Sequence, residues 1–102
     1  MANVTPPSKE DLLWLTNENV DEIGVIASNG DVFIVRRGDG DIISAREFLE
    51  ISSQIDAEVN LELMNDPDFI NWTIQERNYM GIREQFFRIA RYFKWHIAGG
   101  RL

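Results

Sequence analysis

The chain has 102 residues, 44% hydrophobic and 26% charged, with no cysteine and a formal net charge of −7. That length supports one domain with its own core, and the composition is that of a folded globular chain rather than a disordered one. Without cysteine there is no disulfide framework, no thiolate metal site and no thiol nucleophile. The opening "MANVTPPSKEDLL" has neither the basic start nor the apolar run of a secretory leader, and no apolar stretch approaches the ~20 residues of a membrane-spanning helix. A cytoplasmic, single-domain protein is expected.

Residues 1–7 read as a flexible arm, because Pro6-Pro7 resists regular structure, leaving 8–102 as one α+β domain. Ser8, with Asp11 three residues on, is placed to cap a short helix, "KEDLLWL". Leu12, Leu13 and Trp14 are then available to cover one end of the core. In "EIGVIASNGDVFIVRR", two β-branched runs, Ile23–Ala27 and Val32–Val35, flank Asn29-Gly30, a pair that tolerates the positive φ of a tight turn. They predict a β-hairpin, covered on both faces or nearly so because the runs alternate only partly. The turn "RGDGD" leads towards a third antiparallel strand at Ile42-Ile43.

Ser44 and Glu47 form a capping box that starts a helix at Ala45. Phe48, Ile51, Ile55, Val59 and Leu63 continue it at helical spacing. Ala57, Val59, Leu61 and Leu63 also alternate as a strand would, so 56–64 stays open between the two, with helix through Met64 favoured. Asp66-Pro67 restarts the chain. Thr73 and Glu76 offer another capping box ahead of a long C-terminal amphipathic helix that should reach Ala98, where Gly99-Gly100 ends it. Gly81 within it either admits a neighbouring helix or marks the true start. The predicted core is Leu13, Ile23, Val25, Ile34, Phe48, Ile51, Ile55, Ile82, Phe86, Ile89 and Phe93, with Ile97 on the same helical stripe.

The charge is unevenly placed: residues 1–76 carry a net −12 and residues 77–102 a net +5. On the last helix, Arg77, Arg83, Arg88, Arg91 and Lys94 lie opposite the apolar stripe, with Met80, Phe87 and Trp95 among them. Cations interleaved with aromatic rings suit a protein partner or nucleic acid. A second candidate surface is acidic: Glu18, Asp21, Glu22, Glu47, Glu50, Glu58 and Glu62. The two surfaces also carry the charges needed to neutralise each other within the fold.

Catalytic and ligand motifs fail on inspection. His96 is the single histidine, without a G-x-S-x-G elbow to supply a serine partner. As a residue near a helix C-terminus it would be favoured in its charged form by the helix dipole. Asp39-Gly40-Asp41 resembles the start of a calcium loop, but Ile43 and Ser44 stand where an oxygen ligand and glycine belong. The carboxylate pairs Glu47/Glu50 and Glu58/Glu62 read as solvated helix faces. No enzyme activity, cofactor or metal is expected.

The function expected is that of a non-enzymatic interaction protein, whether inhibitor, immunity or antitoxin-like factor, or adaptor, that occludes a partner's site. The partner is another protein, a copy of itself included, with no membrane involved. The alternatives are a nucleic-acid-binding module using the basic aromatic helix, and a structural subunit that self-associates through Phe87 and Trp95.

Overall fold

A computed structural model describes residues 7–26, 30–38 and 42–101, the last two by backbone alone. Among these residues, three helices and a three-stranded antiparallel sheet form a small α+β fold. Helix α1 (Lys9–Leu12) continues into a 3-10 turn, Leu13–Thr16. Its start is a complete capping box: the Asp11 amide donates to Ser8 Oγ at 3.4 Å, and the Ser8 amide donates to Asp11 Oδ2 at 3.1 Å. Pro7 is fully buried and belongs with the domain; the rest of the predicted arm lies outside the described residues. Leu12 and Leu15 close this end of the core, whereas Leu13 is half-buried and Trp14 is 62% exposed.

Strands β1 (Glu22–Ile26) and β2 (Asp31–Arg36) form the expected hairpin, from Glu22 opposite Arg36 to Ile26 opposite Val32. Gly30 has φ +91°, a conformation that suits glycine, while Asn29 lies outside the described residues, as does the predicted turn at Asp39-Gly40-Asp41. Directly opposed residues share a sheet face. Ile23, Val25, Phe33 and Val35 therefore line one face, and Gly24, Ile26, Val32 and Ile34 the other. The helices pack on the first: Val35 is fully buried, and the Phe33 ring meets Phe86 edge-on at 6.0 Å. Ile34, expected in the core, is thus on the outer face, and the hairpin is not covered on both sides. The outer face is exposed at Gly24, Ile26 and Ala98.

Helix α2 (Ala45–Met64) settles the ambiguity at 56–64. Phe48, Ser52, Ile55 and Val59 are buried at steps of four, three and four, the period of a helix. The Glu47 amide donates to Ser44 Oγ at 3.1 Å. A 3-10 turn (Phe69–Asn71) then leads to α3 (Ile74–Tyr92), capped by Thr73. Gly81 lies mid-helix and buried, facing Leu63 of α2.

The C-terminus departs most from the sequence reading. Helix α3 stops at Tyr92, not Ala98. Lys94 adopts φ +58°, and the Lys94 and Trp95 amides donate to the carbonyls of Arg91 and Ala90. That is the hydrogen-bond pattern of a Schellman cap, with lysine at the left-handed position glycine usually takes. Residues His96–Arg101 then form β3, antiparallel to β2, with Val35 opposite Ile97 and Phe33 opposite Gly99. The third strand is therefore this segment and not Ile42-Ile43, which precede α2 without strand structure. Gly99 serves strand pairing, not helix termination: a Cβ there would come 2.7 Å from the Val32 carbonyl oxygen. Ile97 is 39% exposed on β3. No helix of the described residues is long and apolar enough to cross a membrane.

Candidate interaction surfaces

Arg77, Met80, Arg83, Phe87, Arg88, Arg91, Lys94 and Trp95 share one basic aromatic face only while the chain is helical, and α3 ends at Tyr92. Trp95 lies beyond the end of α3 and is 6% exposed. Its ring stacks on Phe48 at 6.1 Å and on Phe93 at 5.2 Å. It is a core residue, so the expectation that it binds a partner is corrected. Phe87 is half-buried and packs on the core, its ring 5.2 Å from that of Phe86. Met80 is half-buried beside a groove of 270 Å³ between α2 and α3, which Val59, Leu63, Glu84 and Arg88 also line.

Three of the five cations are engaged by neighbouring groups of the fold. Arg77 Nε donates to the Phe69 carbonyl at 3.3 Å, and its guanidinium lies 4.2 Å over the Phe69 ring. Arg83 pairs with Glu84 at 3.6 Å and covers the Phe87 ring at 5.1 Å. Arg88 joins α3 to α2 by pairing with Glu62, and it reaches Glu84 at 3.6 Å. Arg91 and Lys94 are exposed and have no ion pair among the described residues. The basic face thus keeps two free cations out of the five expected.

The acidic candidates divide in the same way. Glu62 is held by Arg88, Glu22 by Arg36 at 2.8 Å across the hairpin, and Glu50 by Arg46 at 3.3 Å along α2. The carboxylates of Glu18, Asp21, Glu47 and Glu58 are exposed and unpaired among the described residues. They do not form one face from a single element: Glu18 and Asp21 flank the turn into β1, whereas Glu47 and Glu58 are on α2. Glu10, which the sequence reading did not select, is also exposed and unpaired, on α1.

The turn that carries Glu18 and Asp21 is rigidly held. Arg37 Nη1 donates to three carbonyls, Leu15 at 3.1 Å, Asn17 at 3.0 Å and Val20 at 2.8 Å. The Arg37 amide donates to the Asp21 carbonyl at 2.8 Å, and the Asn19 amide to Asn17 Oδ1 at 2.9 Å. One guanidinium therefore supplies the positive charge and the donors that fix an acidic loop. Trp14 projects from the 3-10 turn between Glu10 and Glu18, four residues from each. No motif announces Arg37 or Trp14; partners about twenty residues apart reveal the first, and only the local fold exposes the second.

Among the described residues, no cluster of three or more His, Cys, Asp or Glu side chains could hold a metal ion. His96 opens β3 opposite Arg36, and is exposed, so it does not cap a helix. The site and fold define a small α+β domain with a carboxylate surplus on its surface. Comparison with known protein families, with functionally described proteins and with solved structures finds no match.

Proposed function

We propose that the protein is a non-enzymatic, cytoplasmic interaction protein that occludes a site on a basic partner through its acidic surface. One observation carries this reading: the cations are largely used within the fold, while Glu10, Glu18, Asp21, Glu47 and Glu58 face solvent unpaired among the described residues. The turn anchored by Arg37 presents two of these charges in fixed positions, which lowers the ordering cost of binding. Trp14, 62% exposed and four residues before Glu18 in the chain, supplies the large apolar contact on which interfaces concentrate their energy. Unpaired charge of one sign accelerates encounter with a partner of the other sign. The unpaired carboxylates favour the acidic surface over the basic one as the contact with the partner.

The test is affinity capture from nuclease-treated lysate by the intact protein and by two variants, Glu18→Lys with Asp21→Lys, and Trp14→Ala. The expected result is a basic protein retained by the parent, eluted by salt, and lost by both variants. Unchanged capture by the charge-reversed variant would overturn the assignment to this surface. Retention of nucleic acid alone, before nuclease, would favour Arg91 and Lys94 as phosphate contacts instead.

A further inference from the structure

A second surface, independent of the acidic turn, lies on the solvent side of α2. Its buried stripe is Phe48, Ser52, Ile55 and Val59. On the opposite side, Leu49, Ser53, Ala57 and Leu61 recur at steps of four and are all exposed, with Leu49 at 49% and Leu61 at 63%. Met64, 65% exposed, extends the row. A solvated helix face has no need of such a row. A row at steps of four is the ridge by which two helices pack at about −50° with axes about 8–10 Å apart.

We propose that this ridge is a dimer interface and that its occupant is a second copy of the chain, with the two α2 helices antiparallel. Two features select this occupant. The row reads large, small, small, large about a midpoint between Ser53 and Ala57. A two-fold axis there brings the small residues to the crossing point and sets Leu49 of one copy beside Leu61 of the other, as an isologous contact requires. The charges at the two ends are also opposite. Helix α3 returns antiparallel to α2, placing Phe93 6.2 Å from Phe48, so that Arg91 and Lys94 join the Arg46–Glu50 pair and Glu47 near the start of α2, which leaves that end with a net +1. At the far end stand Glu58, Asp66, Asp68 and Glu76. An antiparallel pair sets the cationic end of each copy against the acidic end of the other, while a parallel pair sets like against like. This surface differs from Phe87 and Trp95, which the sequence alone had suggested for self-association and which pack inward.

Light scattering on the full chain from micromolar to several hundred micromolar tests the proposal. The expected result is a mass that rises from that of one 11.8 kDa chain to twice that value. Leu61→Glu, at an exposed position, should abolish the rise without lowering the melting temperature. Ile26→Glu on the outer sheet face should leave it intact, and Arg91→Glu with Lys94→Glu should weaken it several-fold. The chain has no cysteine, so Ala57→Cys gives a single reporter that a short bismaleimide should link between copies, whereas Gly24→Cys should not be linked. A monomer throughout the range overturns the proposal. So does a dimer that Ile26→Glu disrupts and Leu61→Glu does not, which would assign association to the sheet.

Discussion

Replacing Trp95 with alanine separates the two places this residue could have occupied. On a solvated helix face the change would shift stability by no more than about 0.5 kcal/mol. In the structure the indole is 6% exposed and packs against both Phe48 and Phe93, with interplanar angles of 20° and 30°. Its removal takes away both stacking contacts and leaves a cavity where α2, the end of α3 and the start of β3 meet. Buried aromatic-to-alanine changes cost about 3–5 kcal/mol, a large part of the roughly 5–15 kcal/mol that stabilises a domain of this size. The corresponding fall in melting temperature is about 15–20 °C. Urea denaturation followed by circular dichroism measures it, with an unchanged slope showing that two-state unfolding persists. A loss below about 1 kcal/mol would refute the burial of Trp95 and the path of the chain after Tyr92.

Three further substitutions probe the backbone. Gly81→Ala should stabilise the protein by about 0.5–1 kcal/mol, because glycine is a poor helix former and the added methyl would meet Leu63 at an ordinary 3.9 Å; a loss on denaturation would mean that α2 and α3 approach more closely. Lys94→Gly should gain about 1 kcal/mol by relieving a left-handed lysine, and a thermal melt showing a loss would mean that Lys94 makes a contact outweighing that strain. Gly99→Ala should cost about 1–3 kcal/mol, since its methyl would lie 2.7 Å from the Val32 carbonyl oxygen; a neutral result would argue against the β2–β3 register.

The parts of the fold legible in the sequence are those set by neighbours. Ser8 with Asp11, Ser44 and Thr73 each mark a helix start through a side chain that bonds a backbone amide three residues on. The hairpin is read from two β-branched runs and a turn. Its facing is harder: Val32–Val35 are all apolar, so the pattern does not say whether Ile34 or Val35 points inward. The end of α3 was hidden by coincidence. Ile89, Phe93 and Ile97 fall on one helical stripe, yet the chain turns at Lys94, and Ile97 pairs across a sheet with Val35, far back in the sequence. Long-range strand pairing leaves little local trace, and two glycines in "HIAGGR" imitate a helix stop. Trp95 followed from the same error, because its apparent exposure rested on extending a helix through it.

The charge split has a physical consequence of its own. A chain with a net +5 at one end and −12 before it could display both signs on its surface. Instead α3 lies antiparallel on α2, which brings Arg88 to Glu62 and leaves Glu84 between Arg83 and Arg88. These pairs are partly exposed and each is worth no more than about 1 kcal/mol, so they do not hold the helices together; Phe86, Ile89, Ile55 and Val59 do that by burial. What the pairs change is the field outside. With the central cations of α3 matched, the positive end of the molecule shrinks to Arg91 and Lys94 beside the Arg46–Glu50 pair, while unmatched carboxylates remain on α1, the turn before β1 and both halves of α2. That remainder presents two separate charge patterns, an acidic turn shortly after an exposed tryptophan in the chain and an α2 face charged oppositely at its ends. The first suits a basic partner and the second a copy of itself. Because the acidic turn and the α2 ridge share no residue, reversing Glu18 and Asp21 should leave the dimer unaffected, and Leu61→Glu should leave capture of the basic partner unaffected.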